Sequence, residues 1–293
     1  MSIHATGNLP LRKITHWSLR EKKQRGEPIT ALTAYDYPTA RLIDEAEIDM
    51  ILVGDSVAMA VLGHESTLSL TMDEMLHHAK AVRRGVKSAM LVVDMPYGSY
   101  HTGDEEAVRN ALRFVQESGA EAVKLEGGAY RAPLVERLTR AEIQVVGHIG
   151  LTPQSVNRMG GYRVQGRSVS DIEKLMSDAV ALEAAGAIAL VLEGIPREVA
   201  ARITAAAGIP TIGIGAGPDC DGQILVFHDL VSLAFAQPAK FVRQFSDAGA
   251  TIRFAIDEYR DAVESRTFPN DAESYHLATA VRSALHLPEL QTI

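Results

Sequence analysis

In this 293-residue chain, polar residues suited to acid–base or metal chemistry stand at the ends of short apolar runs. Asp55 and Ser56 close the run that begins at Met50, and Asp94 closes the run from Ala89. Lys124 and Glu126 end the run from Ala122, His148 the run from Gln144, and Glu193 the run through Ile188. Lys124 and Glu126 are two apart, so in a strand their side chains leave by the same face. Each residue alone has a plainer explanation. A strand-terminal Asp caps a turn or helix, a His between glycines is a satisfied core imidazole, and Lys124–Glu126 is an ion pair. The set is harder to explain that way. Four carboxylates (Asp55, Asp94, Glu126, Glu193) converging around Lys124 as the one fixed cation would repel one another and raise their own pKa values. A hard divalent cation resolves the conflict, and oxygen donors with one histidine and no cysteine suit Mg²⁺ or Mn²⁺ better than Zn²⁺. One carboxylate is then left as a base, which points to a metal-assisted lyase or transferase that handles an enolate.

The elements that must position these residues repeat along the chain. The runs from Ile29, Met50, Ala89, Ala122, Gln144, Ala187 and Thr211 are continuously apolar, as parallel strands covered on both faces should be. Helical patterns lie between them over Met72–Val86, Asp104–Ser118, Ser170–Ala185 and Arg197–Ala207. With an eighth short strand expected at Ala239–Val242, the alternation spans the roughly 250 residues of a (β/α)₈ TIM barrel. An open doubly wound sheet is the alternative, but its GxGxxG turn is missing; Gly213, Gly215 and Gly217 have the wrong spacing. The expected organisation is a helical lead-in over 1–28, a catalytic barrel over 29–265, and a helical tail over 266–293. In the lead-in, Ser18 to Gln24 reads as a short helix capped by Ser18 and stopped by Gly26. In the tail, Glu273–Leu285 reads as a helix packed outside the barrel or against a neighbouring subunit.

Composition excludes several classes. Lys+Arg 29 against Asp+Glu 37 gives a net charge of −8, which leaves no cationic excess for nucleic-acid phosphates. A hydrophobic fraction of 46% with 23% charged residues belongs to a folded chain, and no apolar run approaches the about 20 residues of a membrane span. The single cysteine, Cys220, excludes an internal disulfide and fits a reducing compartment. No lysine, arginine or histidine adjoins it in sequence to activate it, so it reads as structural. Asp219, Asp221, Asp271 and Glu273 are expected to face solvent. The basic residues before position 28 are not followed by an apolar stretch, so a cytoplasmic location is expected.

With these residues in view, the sequence resembles the ketopantoate hydroxymethyltransferase family from about Arg20 to Ser265. The likeness rests on TAYDYPTA at Thr33, VGDSVAMAVLGHESTLSLT at Val53, DMPYGSY at Asp94, VKLEGG at Val123, GHIGLTPQSVN at Gly147, GGYRVQGR at Gly160, VLEGIP at Val191 and GIGAGPDCDGQILVFHD at Gly213. Tyr97 and Arg163 stand where many relatives have Phe and Lys, and the tail is longer than in many.

The resemblance implies a barrel of the isocitrate lyase and phosphoenolpyruvate mutase type. It implies transfer of a hydroxymethyl unit from 5,10-methylenetetrahydrofolate to 3-methyl-2-oxobutanoate on the route to pantothenate, with Mg²⁺ as cofactor, by a homo-oligomer that is commonly a decamer. Carried over by position, Asp55, Asp94 and Glu126 match the magnesium site. Asp55, Ser56, Asp94 and Lys124 match the oxo-acid contacts, Glu193 the proton acceptor, and His148 a histidine near the substrate. Val57, Ala58 and Met59 are expected to shape the pocket for the substrate methyls, and Thr152–Arg167 to form a lid over the folate. Two other functions compete. One is a carbon–carbon lyase of the isocitrate lyase or phosphoenolpyruvate mutase type acting on another 2-oxo acid, though the Lys-Lys-Cys-Gly stretch usual in the isocitrate-lyase group is absent. The other is a non-catalytic barrel, which the intact polar set argues against.

Overall fold

Seven of the apolar runs become strands where the sequence places them, and an eighth closes the ring. The computed structural model describes residues 12–288. Its strands are β1 (Ile29–Thr33), β2 (Met50–Val53), β3 (Met90–Asp94), β4 (Ala122–Glu126), β5 (Val145–Gly150), β6 (Ala189–Glu193), β7 (Thr211–Ile214) and β8 (Gly222–Leu225). All pair in parallel in chain order, and β8 returns to β1 with Ile29 opposite Gly222, so the sheet is a closed barrel. The helices are α1 (His16–Arg25), α2 (Tyr37–Glu45), α3 (Val57–Ala60), α4 (Met72–Gly85), α5 (Asp104–Arg113), α6 (Ala132–Arg140), α7 (Val156–Met159), α8 (Val169–Ala184), α9 (Arg197–Ala206), α10 (Phe227–Leu230), α11 (Ala248–Glu264) and α12 (Thr279–Ala284). Among the described residues no helix is long and apolar enough to cross a membrane.

The two-residue period of a strand decides what the barrel holds. Met90 and Val92, Ala122, Val146, Ala189 and Val191 point inward and pack with Ile29, Met50, Leu52, Ile212 and Ile224 into an apolar interior cluster. The next inward positions at the C-terminal end are Asp94, Lys124 with Glu126, His148, and Glu193. The alternate residues, among them Leu91, Val93, Val123, Leu125 and Leu190, face outward and pack under the helices. Polar groups therefore crown an apolar plug, at the end where barrels of this kind place their reactive groups. The opposite end is closed by α1. Its Leu19 joins the interior cluster, while Lys13, Lys22 and Lys23 pair with Glu121 (2.6 Å), Asp49 (2.6 Å) and Asp221 (2.7 Å).

Four expectations need correction. The eighth strand is Gly222–Leu225, not Ala239–Val242; it is short and only half apolar, and a Cβ at Gly222 would run into the Ile29 carbonyl. Helix α1 starts at His16, because its cap is Thr15, in a capping box with Ser18, rather than Ser18 itself; Gly26 does stop it, in the left-handed conformation. Asp221 does not face solvent, since it accepts from the Thr211 N–H (2.8 Å) as well as pairing with Lys23. In the tail, Glu273–Leu285 is not one helix. A 3₁₀ turn at Asp271–Glu273 and α12 are all that form, and no described residue from Arg266 onward is buried. Residues 1–11 of the expected lead-in and 289–293 of the tail lie outside the described residues.

Candidate active site

The residues singled out in the sequence come from five strand ends and meet in one cavity of about 220 Å³. Asp55, Ser56, Asp94, Lys124, Glu126, His148 and Glu193 all line it. Register brings them level: Asp94 is the pairing partner of Lys124, Glu126 of His148, and Gly150 of Glu193. Asp55 and Ser56 lie just beyond β2, after Gly54, where a Cβ would come within 2.9 Å of Ser56 Oγ. A larger cavity, about 320 Å³, lies between α1 and the end of α8 around His16, Trp17 and Arg20, remote from this cluster.

Each of three carboxylates is tied by one oxygen. Asp94 Oδ2 accepts from the Asp55 N–H (3.0 Å), Asp55 Oδ2 from Gln154 Nε2 (2.8 Å), and Glu126 Oε2 from the Gln154 N–H (3.0 Å). The other oxygens of Asp94 and Glu126 are buried and accept no hydrogen bond; Asp94 Oδ1 lies 2.8 Å from Lys124 Nζ, outside hydrogen-bond alignment. Among the described residues no three acidic, histidine or cysteine side chains by themselves enclose a metal ion. That arrangement still suits Mg²⁺, which is usually held by one or two carboxylates together with waters and substrate oxygens. Buried, crowded carboxylate oxygens, that of Asp94 paired with the Lys124 ammonium and that of Glu126 without a hydrogen bond, are donors of the kind a hard cation takes.

The electrostatics follow from burial. Desolvation and the Asp94 charge push the Asp55 carboxyl up to about 7, against Lys124 and the Gln154 hydrogen bond. Desolvation, with the Asp55 charge added, raises Glu126 well above the usual carboxylate range. Glu193 is pushed up to about 7 by burial, while Lys124 pulls it down. Burial alone would lower the Lys124 ammonium, but Asp94, Glu126 and Asp55 outweigh it and keep it charged. Burial and the Lys124 charge hold His148 well below its ordinary value, so its ring is neutral. Lys124 Nζ stands 3.1 Å from His148 Nδ1. An ammonium only donates, so the ring proton is on Nε2, 3.2 Å from Glu193 Oε2.

Other residues of the site carried no signal of their own in the sequence. Gln154 and Tyr100 are buried beneath the carboxylates, and Tyr35 Oη is hydrogen-bonded to Ser56 Oγ at 2.7 Å. All three sit inside quoted motifs (GHIGLTPQSVN, DMPYGSY, TAYDYPTA), but motif membership does not say what a side chain touches. Of the three residues expected to shape the methyl pocket, only Met59 lines the cavity; Val57 and Ala58 are fully buried in the helix–strand layer. From the expected lid, Pro153 and Tyr162 line the cavity, and Tyr162 Oη reaches the Met59 sulfur at 3.9 Å. Cys220 is partly buried, and burial pushes its thiol up, away from a reactive thiolate.

Solved structures with this fold include a phosphonopyruvate hydrolase in complex with oxalate and Mg²⁺ (TM-score 0.61, 14% identity, 93% of this chain and 95% of that one). They also include a 2,3-dimethylmalate lyase of the PEP mutase/isocitrate lyase superfamily (TM-score 0.54, 17% identity, 92% and 94%). At such identities the likeness establishes architecture and lends the lyase alternative no support of its own. Sequence relatives are far nearer. The chain is 62% identical over 98% of its length to the 3-methyl-2-oxobutanoate hydroxymethyltransferase of Koribacter versatilis, covering 97% of that protein. It is 51% identical over 90% of its length to the enzyme of that name from Pelobacter propionicus, covering 98% of it. The ketopantoate hydroxymethyltransferase profile matches residues 13–271, the whole barrel with the site at its rim, and the chain belongs to that family of transferases.

Proposed function

We propose that the chain moves a hydroxymethyl unit from 5,10-methylenetetrahydrofolate and water to 3-methyl-2-oxobutanoate, giving 2-dehydropantoate and tetrahydrofolate, with Mg²⁺ as cofactor. The observation that carries this reading is the division of labour among four carboxylates in one cavity. Asp55, Asp94 and Glu126 are each tied by one oxygen, whereas Glu193 accepts no hydrogen bond from backbone or amide among the described residues. Asp55, Asp94 and Glu126 would hold the cation, which when bound supplies polarisation of the substrate's keto oxygen.

The chain's own residues do the rest. Lys124 offsets the substrate carboxylate, and the Ser56 N–H, which has no intramolecular partner among the described residues, orients it. Glu193, with its carboxyl near 7, takes the proton from C3 of the oxo acid, a basicity suited to neutral pH. His148, neutral and with its proton on Nε2, stands 3.2 Å from Glu193 Oε2 with no aligned hydrogen bond between them. C3, now carrying the electron pair, bonds to the methylene carbon as that carbon's two bonds to the folate nitrogens break; water supplies the hydroxyl oxygen, and the nitrogens take up one proton from water and the one that Glu193 removed. Tyr162 and Met59, which line the cavity, are the residues we assign to that cosubstrate.

The test is direct. Protein incubated with Mg²⁺, 3-methyl-2-oxobutanoate and methylenetetrahydrofolate should form 2-dehydropantoate. Absence of product with the cation bound removes this reading.

We also propose a homo-oligomer. Helix α11 buries none of its residues, and Ile252, Ile256, Tyr259 and Val263 form an exposed stripe at helical spacing.

A further inference from the structure

Gln154 is more fully engaged than any other uncharged side chain at the site. Its Nε2 donates to Asp55 Oδ2 (2.8 Å) and to the Met95 carbonyl (3.0 Å), and its backbone N–H donates to Glu126 Oε2 (3.0 Å). Its Oε1 accepts from Tyr100 Oη at 2.5 Å. The Tyr100 hydroxyl accepts from the Glu126 N–H (3.2 Å), so its own proton goes to Gln154. That fixes which way the amide faces: oxygen to Tyr100, nitrogen to Asp55. Both residues are buried, Gln154 5% and Tyr100 2% exposed. One residue thus holds two carboxylates that arrive from different strands, and leaves Glu126 Oε1 buried without a hydrogen bond.

We propose that Gln154, set by Tyr100, is the positioning residue of the cation site, turning one oxygen each of Asp55 and Glu126 outward from the protein's own hydrogen bonds and toward a bound metal. Its role rests on the cation-assisted chemistry proposed above. Gln154 also belongs to the β5–α8 segment whose Tyr162 stands at the cavity mouth, so the donor geometry and the covering segment share an anchor.

The experiment uses the full chain and Mn²⁺ as probe, titrated without substrate and followed by electron paramagnetic resonance. Gln154→Met keeps the length and removes the amide; it should weaken Mn²⁺ binding about 10–100-fold, as loss of a ligand-orienting partner does, with the circular dichroism of the wild type retained. Tyr100→Phe, which frees the amide to rotate, should weaken it in the same direction by a smaller factor. The rate of deuterium exchange at C3 of the oxo acid should fall with the metal affinity and recover at saturating Mn²⁺. Unchanged affinity in folded Gln154→Met overturns the proposal, even if its melting temperature drops, because a merely structural role would give that result. Should Gln154→Met fail to fold, unchanged affinity in Tyr100→Phe overturns it equally. A wild-type chain that binds no Mn²⁺ overturns the cation-assisted reading itself, a separate outcome from equal binding by wild type and variants.

Discussion

His148 Nε2 lies 3.2 Å from Glu193 Oε2, while the other ring nitrogen faces Lys124. The two contacts make the ring a spacer. The Lys124 charge pulls the Glu193 carboxyl down against burial, and the balance leaves it at about 7. A base must be ionised to act, so C3 exchange should rise about tenfold per pH unit on the acid side and level off once Glu193 is ionised. Glu193→Gln should keep its fold and its Mn²⁺ affinity while exchange falls by about 10²–10⁴. Exchange at the wild-type rate in that variant places the base elsewhere.

The same crowding sets the stability of the metal-free chain. Asp55 and Glu193 titrate near 7 when folded, against 3.8 and 4.5 as free side chains. A carboxyl whose folded value is raised binds more protons in the folded state. Its contribution is complete below the unfolded value and is lost as pH rises through the folded one, at up to about 1.4 kcal/mol per unit of pH. Metal-free protein should therefore melt lower at pH 8 than at pH 5. Millimolar Mg²⁺ should restore the difference at pH 8 and do little at pH 5, and Asp55→Asn should flatten the profile. A metal-free melting temperature that climbs from pH 5 to pH 8 contradicts this.

Why the strand-end set was legible and Gln154 was not is a matter of period. Lys124 and Glu126 share a face because a strand repeats every two residues, and the same parity carries inward from Met90 through Val92 to Asp94, and from Ala189 through Val191 to Glu193. No such rule reaches Gln154, which lies in a 3₁₀ turn beyond β5 and meets Asp55 across 99 positions of chain. Strand β8 escaped for a related reason. GQIL carries two apolar residues, and its place is decided by the gap between β7 and β1 rather than by its own pattern. Asp221 looked like a turn residue on the surface because nothing local announces Lys23, its partner from the far end of the chain.

Helix α11 makes an assembly prediction. Ile256 and Tyr259 are each 61% exposed, and each buried side chain of this size contributes about 1.5–3 kcal/mol. Ile256→Asp with Tyr259→Asp should lower the mass measured by sedimentation while leaving the barrel's circular dichroism in place. An unchanged mass means that this stripe is not an interface.

The closed end of the barrel should matter for folding and not for chemistry. Leu19 is 1% exposed and is the one α1 side chain that enters the interior cluster, under Ile29, Met50 and Met90. Around it, the carboxylates that pair with the three lysines also take up backbone N–H groups at strand starts: Asp49 accepts from Thr30 (2.9 Å), Glu121 from Leu91 (2.9 Å) and Asp221 from Thr211 (2.8 Å). Of the three bridges only Lys13–Glu121 is substantially exposed and contributes little, while Leu19 supplies the apolar burial. Leu19→Ala should cost about 2–5 kcal/mol in denaturant unfolding, because the barrel wall cannot collapse onto the space it leaves. Lys22→Met should cost more than an exposed pair does, since Asp49 is left buried, though it keeps its two contacts with Thr30. Both variants, assayed well below their melting temperatures, should keep wild-type kcat and KM, the cavity being at the other end. A fall in kcat without a fall in stability for Leu19→Ala shows instead that the plug sets the height of the polar crown.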